Sequence, residues 1–71
     1  MTEIWTATIG RWMYYILYST ATTKWMLCRR HDDSRDDDMV AQGVSRHKRP
    51  STEQIIDEVI EELEAIKEGM R

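Results

Sequence analysis

The stretch that most constrains this chain is its last one, Ser51 to Arg71. Ile55, Ile56, Val59, Ile60, Leu63, Ile66 and Met70 recur at spacings of three and four, which makes one apolar stripe on a helix. Ser51 with Gln54 reads as a capping box, and Pro50 precedes it where no helical donor is needed. Gly69 marks the expected end, with Lys67 and Arg71 near the negative pole of the dipole and Glu53 near the positive one. The opposite side is acidic: Glu53, Asp57, Glu58, Glu61, Glu62, Glu64 and Glu68. Such a helix, over about 52–68, has to lay its stripe on a platform, and its acidic side reads as a solvated face.

The preceding residues supply strands. Thr2–Ile9 is rich in β-branched residues and ends at Gly10, which with Arg11 fits a two-residue hairpin loop. Trp12–Ser19 reads as the central strand, and Lys24–Arg30 as the third, after the loop Thr20–Thr23. His31–Asp38 is a charge-dense loop, and Met39–Val44 a short fourth strand. Ser45–Pro50 is a basic connector into the helix. The expected fold is α+β, a single domain over 1–71 with a three- to four-stranded antiparallel sheet and one C-terminal helix on one face.

Alternation along the strands sorts the side chains into two sets. One face collects Trp5, Ala7, Ile9, Trp12, Tyr14, Ile16, Tyr18, Trp25 and Leu27. The other collects Ile4, Met13, Tyr15, Leu17, Met26 and Cys28, with Thr6 and Thr8. Both are apolar, and one helix covers only one of them. In a chain of 71 residues, where a single core is marginal, the second face implies another chain. The expected partner is a second copy of this protein or another protein, and the expected interaction surface is aromatic: Trp5, Trp12, Tyr14, Tyr15, Tyr18 and Trp25.

Residues 24–66 resemble the small YegP-like domains, a family of unknown function. The likeness runs through Trp25-Met26-Leu27, the Asp-rich turn, Val40 to Ser45 and the helix, and Val44 stands where that family has an aromatic residue. It implies the fold and no activity. The arrangement of strands and helix is also similar to that of the arm-binding domains of phage-type integrases, which read DNA with the sheet.

Chemistry is harder to find. Asp32, Ser34 and Asp36 have the alternate spacing of a calcium loop, but its glycine and its final glutamate are missing. Cys28 and His31 are spaced like half a zinc site without a second half, and Cys28 reads as a small core residue. No Gly-rich phosphate loop or nucleophile–base pattern occurs, so the reading is non-enzymatic, with no cofactor and no metal. The one cysteine points to a reducing compartment. The N-terminus lacks a signal-peptide layout, and the longest apolar run, Trp12–Tyr18, is too short to span a bilayer, so a cytoplasmic location is expected. Charge is divided: the net −3 combines a helix segment of net −5 with fifty residues of net +2. Nucleic-acid binding by the aromatic sheet and the basic run Arg46, His47, Lys48 and Arg49 is the alternative function.

Overall fold

A computed structural model describes residues 1–69, with side-chain environments through Ile66. Four strands, β1 (Thr2–Ile9), β2 (Trp12–Ser19), β3 (Lys24–His31) and β4 (Asp37–Val44), are followed by one helix, α1 (Thr52–Gly69). The strands form an antiparallel meander in the order β1-β2-β3-β4. This is the expected α+β arrangement, with the helix on one face of an open sheet. Met70 and Arg71, assigned above to the stripe and to the helix end, lie outside the described residues.

The first hairpin closes at the Ile9–Trp12 pair. Gly10 has φ +62 and Arg11 does not share a positive φ, which is the type II′ pattern that fits the twist of a two-residue loop. The second loop is less ordinary. Thr23, a β-branched residue, sits at φ 52, and its carbonyl accepts a hydrogen bond from the Ser45 amide at 2.9 Å. That bond fastens the loop after β2 to the chain leaving β4.

Two irregularities shift the expected faces. A bulge between Glu3 and Trp5 lets Ile4 pack against the helix-side core instead of joining the opposite set. A second one, where Leu27 pairs with Ala41 but Cys28 with Met39, turns Val40 to the same core. The fourth strand begins at Asp37, two residues before the expected Met39, and β3 continues through His31. The Asp-rich loop is therefore shorter than expected, because Arg30 pairs with Asp37 and Arg29 with Asp38 in the ladder, and opposite charges across strands extend it.

The core lies between helix and sheet. Ile16 and Leu27 in the inner strands and Ile55 and Val59 in the helix have no exposed surface, and Tyr14, Tyr18, Trp25 and Leu63 close around them. Full burial of a side chain such as Ile16 contributes about 1.5–3 kcal/mol. The capping box forms reciprocally: the Gln54 amide donates to Ser51 Oγ at 3.2 Å and the Ser51 amide to Gln54 Oε1 at 2.9 Å. The first turn of the helix is thereby closed.

Gly43 is required for Trp25 to enter this core. A Cβ at position 43 would lie 2.7 Å from Trp25 Cζ2 and 3.0 Å from Cε2. The indole thus rests on bare backbone of the neighbouring strand. Gly43→Ala is expected to destabilise the fold by about 1–3 kcal/mol in denaturant unfolding. Substitution of the exposed neighbour Gln42 by Ala is expected to change stability by less than about 0.5 kcal/mol.

Candidate functional site

The register makes the face away from the helix legible column by column. Thr6, Tyr15, Cys28 and Met39 form one row across the four strands, and Glu3, Leu17, Met26 and Gln42 another. Thr8, Met13, Arg30 and Asp37 make a third. Its centre is apolar and soft: Leu17, Met26 and Tyr15 are half-buried, while Met13 and Met39 expose 37% and 51% of their surface. Methionine side chains are flexible and polarisable, which suits a surface that must conform to a partner.

Cys28 lies in the middle of this face yet is only 5% exposed, covered by its neighbours. It is a buried residue, as expected, but on the face away from the main core. Burial pushes its thiol above the ordinary value, so it stays protonated at neutral pH. His31 is three residues on in the same strand and therefore points to the other face. There it packs edge-on to Trp12, with ring centroids 4.9 Å apart. The Cys28–His31 pair therefore does not come together.

The polar end of the open face is a closed network. Asp37 accepts from Tyr15 Oη through Oδ2, and from Arg30 Nε through Oδ1 and Arg30 Nη2 through Oδ2. The hydrogen bond from Arg30, followed by that from Tyr15, holds the Asp37 carboxyl below its ordinary range. The bond to Asp37, with burial, drives the Tyr15 phenol upward. Tyr15 is thus a fixed, un-ionised hydroxyl at the border between the apolar centre and an ion pair.

The aromatic residues divide differently from expectation. Tyr14, Tyr18 and Trp25 are buried under the helix, and Trp5 and Trp12 pack against the same core. The Arg29 guanidinium stacks 4.0 Å above Trp12. Only Tyr15 reaches the open face. Five of the six aromatic residues expected at an interaction surface thus stand on the helix side, because alternation sorts residues between two faces but does not say which face a helix will choose.

In the Asp-rich loop, the carboxylates of Asp32 and Asp33 gather with His31, ligand atoms lying within 4.8 Å of one another. Asp32, Ser34 and Asp36, which have the alternate spacing of a calcium loop, are not the trio that gathers. Ser34 Oγ and Asp36 instead bond to each other, and His31 Nδ1 accepts from the Asp33 amide at 3.2 Å. Arg11 also approaches Asp33, at 3.8 Å. The loop is held by its own contacts and by the first hairpin turn, where the Asp32 amide donates to the Arg11 carbonyl at 3.0 Å.

The basic connector is partly committed. Arg46 donates to Glu58 Oε1 from its amide at 2.9 Å and from Nε at 3.0 Å, and from Nη2 to Glu61 Oε2 at 3.2 Å. Glu58 is 7% exposed, so this member of the acidic helix face is an internal latch, not a solvated charge. His47, Lys48 and Arg49 remain exposed.

Burial pushes the Glu58 carboxyl up, but bonds from the Arg46 amide and guanidinium and from Ser45 outweigh it, and the net direction is down. A carboxyl depressed in the folded state stabilises the fold above its unfolded value and loses that contribution as pH falls through the folded one. Thermal stability is expected to hold from neutral pH to about 5 and to decline below about 4.5. Glu58→Gln should lower stability by about 1–2 kcal/mol at pH 7 and flatten that decline, measured by circular dichroism melts. An unchanged pH profile in Glu58→Gln would remove the latch from the account.

Among the described residues no helix is long and apolar enough to cross a membrane. No family model, curated protein or solved structure matches this chain, so its functional reading rests on its own residues and geometry.

Proposed function

We propose that this protein is a small non-enzymatic binding or regulatory module, acting in the cytoplasm as a homodimer or as a small subunit of a protein complex. The supporting observation is the open sheet face, where Leu17, Met26, Met13 and Met39 surround Cys28 with no overlying element among the described residues. Contiguous apolar surface on a small domain marks an interaction site, and the Tyr15–Asp37–Arg30 network supplies a polar rim. The partner covers that face and buries about 800 Å² per side.

The nucleic-acid reading draws support only from His47, Lys48 and Arg49, since Trp25, Tyr14 and Tyr18 lie under the helix and are not free to stack on bases. The acidic helix also opposes phosphate approach. Retention of DNA or RNA at micromolar protein in a low-salt mobility shift would favour it over the protein-binding reading.

Met39→Glu, at an exposed position on the β4 side of the open face, is expected to leave the fold intact and to weaken partner association at least about tenfold. Affinity capture from host cells, comparing wild type with Met39→Glu and with the helix-surface variant Glu64→Lys, checks this. A partner lost only with Met39→Glu supports the reading. A partner lost only with Glu64→Lys would move the interaction to the acidic helix.

A further inference from the structure

The two edges of the sheet are unlike. The strand β4 carries Asp37 and Asp38, has a bulge at Val40, and runs directly into the connector that crosses to the helix. Charges and bulges of this kind discourage another strand from adding. The other edge, β1, has none of them between Trp5 and Ile9. Its register there is regular, its residues are Trp-Thr-Ala-Thr-Ile, and its one charge, Glu3, lies beyond the bulge.

The hairpin says which backbone groups are free. The closing Ile9–Trp12 pair of a two-residue loop is hydrogen-bonded, so Ile9, Ala7 and Trp5 exchange bonds with β2. The amides and carbonyls of Thr8 and Thr6 then point away from the sheet. They form a short, uncharged template for one more antiparallel strand.

We propose that a second copy of this chain supplies that strand, β1 against β1, about a two-fold axis through Ala7. In this register Thr6 faces Thr8 of the second copy, and about four backbone hydrogen bonds form across the axis. Ala7 meets its own equivalent, where its small side chain allows close approach. Trp5 meets Ile9 of the second copy on the helix side. Ile9 is 41% exposed and Trp5 only half-buried in one chain, so this aromatic–β-branched pair covers apolar surface on both. Glu3 comes alongside Arg11 of the second copy, an opposite charge with a well-exposed side chain. An axis through Thr6 instead would set Glu3 against Ile9 and leave Trp5 opposite Ala7, so charge and apolar area both select Ala7.

The product is one continuous sheet made of both four-stranded sheets, with both helices on one side. The two methionine-rich faces then lie next to each other on the other side. The pairing does not use those faces, so it goes beyond the open-face reading and fails separately from it.

Light scattering at about 0.1 mM is expected to give twice the 8.5 kDa chain mass for wild type and for Met39→Glu, and a single chain mass for Thr8→Pro. Ala7→Cys is expected to form a covalent dimer under mild oxidation, since facing residues of a non-hydrogen-bonded pair lie about 4.5 Å apart. Wild type, whose Cys28 is buried, and Thr8→Cys should cross-link far less. A wild-type monomer at this concentration overturns the proposal, as does failure of Ala7→Cys to cross-link beyond wild type. A dimer abolished by Met39→Glu but kept by Thr8→Pro also overturns it and places self-association on the open face.

Discussion

One helix packed on a sheet with two apolar faces is the constraint from which the other features follow. Ile55, Val59 and Leu63 meet Ile16 and Leu27, and Tyr14, Tyr18 and Trp25 complete the main core around that contact. Among the described residues there is no second helix to place on Leu17, Met26 and Met39. Hydrophobic burial is proportional to the area removed from water, so the second face leaves stabilisation unrealised in the single chain. The preference of Trp25, Tyr14 and Tyr18 for the covered side follows from the same term, because large rings contribute most when enclosed.

The helix is held in position by local chemistry at three points. The capping box fixes its first turn, the Arg46–Glu58 latch ties the connector to its middle, and Gly43 lets the Trp25 ring lie flat on β4 beneath it. The Ser45–Thr23 bond adds the β2–β3 loop to this assembly. These contacts crowd the helix side of the sheet with specific partners. The open side has one comparable network, Tyr15–Asp37–Arg30, and it lies at the end of the face, not at its centre.

Much of this arrangement is written in short-range patterns. Thr2–Ile9 and Trp12–Ser19 can be bounded from β-branched runs and a glycine turn, and the capping box from two residues three apart. The sorting of Tyr14, Ile16 and Tyr18 from Tyr15 and Leu17 needs only a period of two. What escapes such reading depends on partners distant in sequence. The bulges that return Ile4 and Val40 to the core arise from register against a neighbouring strand. Glu58 looks like any other acid on a charged helix face until Arg46 is brought beside it. The choice of the aromatic face by the helix is likewise a tertiary outcome. It is why the open face is methionine-rich instead of aromatic.

Adjacent residues of β2 serve different ends in the function we propose, one face stabilising the domain and the other meeting a partner. Denaturant unfolding of Ile16→Lys and Leu17→Lys compares them directly, since these neighbours point to opposite faces of the same strand. Ile16→Lys should abolish the cooperative transition, because it buries an unpaired charge in the core. Leu17→Lys should keep that transition within about 1 kcal/mol of wild type, with Glu3 opposite the new charge. Equal loss of stability in the two variants would contradict the account, because the open face would then be part of the domain's own core.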